Sequence, residues 1–478
     1  MNPIGIDLLN NFSEKEIIGL SAFVNCTHFN TDKYVVRLLE VLKREVLGKT
    51  FEGEMRLRVY EKVFSEKVPA KGWTEDQRKL MSAKLTGLTR LAERFLAIEA
   101  LEENQVYRSD LVYQKLLEKR QYALFQRKMK QEEKILAAQA EKDLTHHSRC
   151  DVLEKSRLDY LHQTGKIYQK NNISEMLHHS NMRYFLQQLN LYVTVLSLEQ
   201  ISDNEFDKSS LDIALQLLDL PQYADAPMLQ VYKATIHLMK TPNDVTCHIL
   251  LDLLAQHAAH IPKSDLNGFY STVTNFYIRQ ILIGQASYRD LFEVYRVMES
   301  HDLLVEEGFV PAGKLKNVII AACRVSEFEW SKNILEKYKP LIRSSVRKSV
   351  CHFTVGVIAF YRKDYDTAIH HFIRVENVNN DYDLNSRTMI MKSHYENDKD
   401  FDNRTVQIFR INEKFFKENK YLPYKRKRGY KNFCQILINL YKFRHRSTKM
   451  TLESIKEKLE KQDVNSDRNW LLEKIKAL

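Results

Sequence analysis

The chain has 478 residues, 44% of them hydrophobic, and carries 73 Lys and Arg against 62 Asp and Glu, a net charge of +11. Its 13 glycines and 9 prolines are less than half of typical usage, near 7% and 5%, which argues against turn-rich sheets, sandwiches and nucleotide-binding α/β folds. Leu, Lys, Glu, Gln, Ala and Met fill long stretches, and all favour helix, so the composition predicts an all-α chain.

Residues 1–103 are expected to form an N-terminal helical module. Ser13 is placed as an N-cap with Glu16 at the capping-box position, and Phe12 as a staple against Ile17. After the polar break Asn25 to Asn30, residues Tyr34, Val35, Leu38, Leu39 and Leu42 form an amphipathic stripe. A second break, Pro69 to Thr74, precedes Met81, Leu85, Leu88, Leu91, Phe95 and Ile98, spaced by three and four. Gly48-Lys49-Thr50 has the ending of a phosphate loop, but Lys43 stands where the loop needs its first glycine and no strand precedes it. A glycine C-cap after a helix ending at Leu47 is the expectation. The Phe-Ser-x-x-Glu opening and the Phe29-Asn30 break resemble the N-terminal module of uncharacterised bacterial helical-repeat proteins. That resemblance spans about 100 residues and implies no activity.

Residues 104–420 are expected to form a helical-hairpin array. From Asn104 to Tyr168 helix breakers are scarce, which predicts long hairpin helices with Gln131-Glu132-Glu133-Lys134 on an exposed face. Apolar heptads are not sustained there for a coiled coil. Pro221, Pro227, Pro242 and Pro262 then punctuate shorter helices. Three acidic–aromatic–acidic triplets follow: Glu327-Phe328-Glu329, Asp364-Tyr365-Asp366 and Asp400-Phe401-Asp402. Their aromatics are 37 and then 36 residues apart, a period typical of stacked helical hairpins. In the middle unit Gly356 and Ala368 let two helix backbones approach, while Tyr365 and Phe372 fill the gap beside them. Ile319 and Lys392 stand at the glycine position of the neighbouring units, Ser331 and Arg404 at the alanine position, and Tyr395 and Phe401 keep aromatic positions. These residues resemble a divergent tetratricopeptide (TPR) array, best matched over residues 349–384. The resemblance implies a right-handed TPR-like α-solenoid with a concave peptide-binding face. A rival resemblance, Gly308-x-x-Pro311 followed by Asn317-Val318-Ile319-Ile320, has the spacing of a pentatricopeptide unit, whose family reads RNA one base per repeat; it occurs once. The triplets have a functional reading, a groove for basic peptides, and a structural one, capping of second helices at their positive dipole end. The dipole argument favours the structural one.

Residues 421–478 are expected to form a basic helical C-terminal cap. Between Lys414 and Lys458 there are 14 Lys and Arg against 3 acidic residues, so the whole excess of +11 lies there. Lys425-Arg426-Lys427-Arg428 follows Pro423 and opens a helix expected to run to about Arg446. At 100° per residue Arg428, Lys431, Lys442 and Arg446 share a sector opposite Phe433, Ile436, Leu437, Leu440 and Tyr441, while Arg444 falls on the apolar side. The stripe is about 27 Å long at 1.5 Å per residue. It is the candidate surface for an acidic protein partner or for nucleic acid, with Tyr421 and Tyr424 placed to stack on bases. The alternatives are a solvated face, or a nuclear address in a eukaryotic source. Thr451 to Leu478, with Leu452, Ile455, Leu459, Trp470, Leu471 and Ile475, is expected to close the last apolar face.

Motifs that carry chemistry are wanting. There is no Gly-x-Ser-x-Gly elbow, His-Glu-x-x-His helix or glycine-rich dinucleotide turn. The 16 histidines include the pairs His146-His147, His178-His179 and His370-His371, but helical neighbours point about 100° apart and a pair alone seldom chelates an ion. His257 and His260, with Cys247 and His248 upstream, lack a third ligand of defined geometry. No catalytic, cofactor or metal residue is assigned. The six cysteines form no C-x-x-C pair, no stretch approaches the roughly 20 apolar residues of a membrane span, and Met1 to Leu20 has no signal-peptide pattern. A cytoplasmic, non-enzymatic protein–protein interaction scaffold is the resulting expectation, with a protein or peptide partner. RNA, DNA or another polyanion at the basic helix is the alternative.

Overall fold

Every regular element among the described residues is helical, and a lone antiparallel bridge between Glu306 and Phe309 is the nearest approach to a strand. The computed structural model describes residues 4–47, 51, 53–69, 72–168, 171–200, 204–283, 285–376 and 378–478. Gly48-Lys49-Thr50 lies outside them; the preceding helix, Lys33–Glu45, ends two residues before Leu47. No helix among the described residues is long and apolar enough to cross a membrane. The chain divides into two compact units, Met1–Gln139 with Thr145–Met182, and Ala140–Leu144 with Arg183–Leu478.

In the first unit, helices Glu14–Asn25, Lys33–Glu45, Glu54–Phe64 and Glu75–Glu103 enclose a core of their own. Local chemistry starts them. Ser13 and Glu16 form a reciprocal capping box, Thr74 and Gln77 form another, and the Asp32 carboxylate accepts the Tyr34 N–H. Leu38, Leu39, Leu42, Val59, Tyr60, Met81, Leu88 and Phe95 fill the interior. Gly19 is required there, because a Cβ would come within 2.9 Å of the Phe95 ring. Two stripe residues fall outside. Tyr34 is exposed and lies under the Lys84 ammonium, and Ile98 sits beyond Phe95, where the long helix has left that core.

The stretch from Asn104 is broken more often than its composition predicts, into Gln105–Glu118, Tyr122–Ala138 and Leu144–Gln163. The first break uses neither Gly nor Pro. Arg120 adopts φ +54°, its N–H bonding to Leu117 O while the Gln121 N–H bonds to Leu116 O, which closes the helix as a Schellman turn. Glu132, expected on a solvated face, is buried instead, with Arg149 Nε donating to it at 2.8 Å. The reason is local: its helix is enclosed by both neighbours around Tyr113, Phe125, Met129 and Leu153.

In the second unit, helices pack in sequence-adjacent pairs: Lys263–Leu282 with Tyr288–Ser300, Ala312–Arg324 with Phe328–Tyr338, Ser344–Tyr361 with Tyr365–Phe372, and Asn380–Asn397 with Asn403–Glu418. Tyr424–Arg444 with Leu452–Glu460 follows in the same way. Ala312–Arg324 also flanks Ser344–Tyr361, which flanks Asn380–Asn397. Gly356 meets the face of its hairpin partner, where an added Cβ would lie 2.9 Å from the Phe372 ring; Ala368 and Phe372 are fully buried and Tyr365 partly so. The triplets mark helix starts, though in two registers. Glu327 and Asp364 are N-cap residues of the first two, whereas in the third the helix starts two residues later and the second acid, Asp402, is the cap. Asp364 and Asp402 accept backbone N–H groups, while Glu327 makes no side-chain cap and lies 3.2 Å from Arg289. The slip leaves Arg404 exposed, so the buried position of that hairpin is taken by Thr405.

Candidate functional site

The loop after Leu452–Glu460 is drawn against the start of the basic helix. Gly429 has no side chain to hold it off, its carbonyl accepts the Ser466 N–H, and Asn432 donates to Val464 O at 2.7 Å. This sets the direction of the last helix, Arg468–Ala477. Trp470, Leu471 and Ile475 enter the apolar cluster with Tyr395, Phe433 and Leu437.

The polar face of the same helix does more. Asn469 Nδ2 donates to Ile281 O, at the end of Lys263–Leu282. Glu473 lies 3.8 Å from Arg324, the last residue of Ala312–Arg324. Asp467 pairs with Lys392, and Lys474 pairs with Glu396, both in Asn380–Asn397. Arg324 is held between the rings of Tyr288 and Tyr361, at 4.9 and 5.3 Å from their centroids, so the end of Ser344–Tyr361 joins the row. One ten-residue helix thus lies along the C-terminal ends of helices from four successive pairs.

The electrostatics of this row follow from burial. Lys392 is 3% exposed, and burial holds its ammonium below the ordinary lysine range, with Asp467 opposing that shift. Burial also works against the charge of Arg324, which the ring faces of Tyr361 and Tyr288 and the carboxylates of Asp467 and Glu473 favour. Desolvation raises the Tyr361 hydroxyl, which stays neutral.

Comparison with protein-family models, with curated proteins and with solved structures returns no match for this chain. The site is therefore defined by its own geometry.

That geometry sorts the residues expected to matter. The basic helix spans Tyr424–Arg444, and Phe433, Ile436, Leu437, Leu440 and Tyr441 are buried on its inner side. Arg426 is tied to Asp381 at 3.1 Å and Arg428 to Asp463 at 2.6 Å. Lys425 and Lys431 are exposed, Lys427 and Lys442 half-buried, and none of the four has an ion-pair partner among the described residues. Arg446 leaves the stripe. The helix ends two residues earlier, and Arg446 takes φ +55° as the left-handed residue of a Schellman turn. Arg444, the residue out of pattern, is a clamp: Nη1 donates to Tyr395 O at 2.6 Å and the guanidinium lies over the Tyr395 ring. Phe401 stacks near Tyr441, whose hydroxyl is pushed up to about 12 by burial and by the Asp398 carboxylate it donates to.

Arg324, Asp467, Glu473 and Lys474 escape a reading by motif, because their partners are 75 to 149 residues away. One signal was available: a lysine, Lys392, standing where the resemblance to a tetratricopeptide unit leads one to expect glycine.

Proposed function

We propose that this chain is a non-enzymatic, cytoplasmic protein-interaction scaffold. In this reading the second unit is a right-handed TPR-like helical-hairpin array that holds a helical segment of a partner across the ends of its first helices. The observation that supports it is the seat of Arg468–Ala477. There the array matches two cations, the buried Lys392 and the half-buried Arg324, and an anion, Glu396, to complementary charges on a docked helix and its N-cap. The receptor surface is occupied by a segment of the chain itself, and a partner with an Asp-x-x-Trp-x-x-Glu-Lys pattern fits the same seat. The test uses a full chain carrying Asp467→Lys and Glu473→Lys, which loosen its own helix, titrated with a peptide of residues 463–478. The reading predicts binding with Kd on the order of 10–100 μM and its loss on adding Arg324→Glu. Absence of binding to the loosened chain contradicts it.

A second reading, polyanion binding at the basic helix, is favoured by the four lysines that have no ion-pair partner among the described residues and by Tyr421 and Tyr424, 86% and 80% exposed. Beside them opens a groove of about 730 Å³ lined by Tyr382, Arg387, Phe415, Lys420 and Tyr421. It predicts single-stranded RNA or DNA binding that weakens steeply with salt and is lost on replacing Lys425, Lys427 and Lys431 with Glu. Salt-insensitive binding, or none, removes it.

A further inference from the structure

Two pairs of adjacent histidines meet in the first unit. His146 and His147 lie on Leu144–Gln163, and His178 and His179 lie near the start of Ile173–Glu199. The roughly 100° between helical neighbours argues against either pair chelating alone, and here it sends His146 and His147 in different directions. His146 turns to Cys150, with Nε2 3.5 Å from Sγ, and to Gln139, with Nδ1 3.4 Å from Oε1. His147 turns across to the other helix, its Nδ1 3.1 Å from the Nδ1 of His179. His178 completes a triangle. One ring nitrogen from each of His147, His178 and His179 lies within 4.8 Å of the other two.

The spacing is that of ligands to one ion. Nitrogens bound to a tetrahedral zinc at 2.0–2.1 Å sit about 3.3 Å apart, with ring centres about 5 Å apart. The His147–His179 nitrogens already have that separation, and ring centroids are 5.3 Å apart for His147–His179 and 5.1 Å for His178–His179. The third side, His147–His178, is 6.1 Å, and the exposed His178 ring closes it by rotating about its side-chain bonds. His147 is 4% exposed and His179 half-buried, so two of the three donors are positioned by packing.

We propose that His147, His178 and His179 bind one divalent transition-metal ion of the zinc class. Three imidazoles suit zinc, copper or nickel and disfavour calcium and magnesium, which take oxygen ligands. The fourth position is left to water or to an external donor, and the ion ties the two helices together. A second histidine pair in the chain supplies the contrast. His352 and His371 place their Nδ1 atoms 3.0 Å apart, yet among the described residues only the first-unit cluster brings three ligand atoms together. The His352–His371 contact is a hydrogen bond between rings.

The experiment is a titration of the chelator-stripped full chain with zinc alone, followed by calorimetry, and with cobalt, followed by visible absorption. One ion per chain is expected, with Kd of micromolar or below, and a cobalt spectrum of tetrahedral type. His178→Ala and His179→Ala should each weaken binding at least 100-fold, while His371→Ala leaves it unchanged. Because His178 is exposed, its variant keeps the fold even where a change at buried His147 does not. No stoichiometric binding, equal binding by His178→Ala and His179→Ala, or loss of binding in His371→Ala instead overturns the proposal.

Discussion

Lys392 and Asp467 form an asymmetric pair: the lysine is buried, whereas Asp467 keeps about a quarter of its side-chain surface in solvent. Removing one member of a buried ion pair leaves the other charge without compensation, at a cost of about 3–5 kcal/mol, whereas an apolar replacement of the buried member is often close to neutral. Asp467→Ala is therefore expected to destabilise the fold by about 3 kcal/mol, and Lys392→Met by about 1 kcal/mol or less, as measured by urea unfolding. Equal losses would show that the lysine is not buried as described. The same residue explains what sequence could and could not reveal. A lysine at a glycine position is visible as an anomaly in a repeat, but its anionic partner lies 75 residues on, beyond any local period.

At the scale of elements, helix content was legible and helix ends were less so. Low glycine content pointed to helices, yet the hairpins still turn through left-handed residues, supplied here by other side chains. Ser326 and Lys363, both at φ +65° and 37 residues apart, occupy the same place in successive Schellman turns, each followed by an acidic N-cap. The period seen in the triplets is thus a period of whole turns. Its failure at Asp400-Phe401-Asp402 comes from a longer connection, in which Asp398 is engaged by Tyr441 and Thr405. A left-handed L-residue costs roughly 1–2 kcal/mol, part of which glycine returns through the greater freedom of the unfolded chain. Lys363→Gly is expected to stabilise the chain by about 0.5–1 kcal/mol, seen as a higher urea midpoint at unchanged slope. A lower midpoint would mean that the Lys363 side chain itself holds the turn. The basic helix was foreseen as an amphipathic element from its 3.6-residue pattern. The pattern could not assign Arg426 and Arg428 to Asp381 and Asp463, since those carboxylates come from other elements.

Across the whole molecule, the last helix lies along the ends of the paired helices of the second unit. Its contacts divide into two kinds. Trp470, Leu471 and Ile475 share the apolar cluster of the basic helix, while Asn469, Glu473 and Lys474 reach separate helices through single polar contacts. Contacts of this kind are few beside the hairpin cores, so the last helix is expected to open separately from the hairpins it joins. This part of the site was illegible in sequence because it is assembled from helix ends that nothing in the local pattern links. Hydrogen exchange by mass spectrometry on the full chain reads this docking directly. The amides of Arg468–Ala477 should exchange through a local opening, at least tenfold faster than those of Phe433 to Tyr441, and Arg324→Glu should speed them further without affecting the basic helix. Exchange of both segments at one common rate, unchanged by Arg324→Glu, would make the last helix an inseparable part of the core and rule out its separate docking.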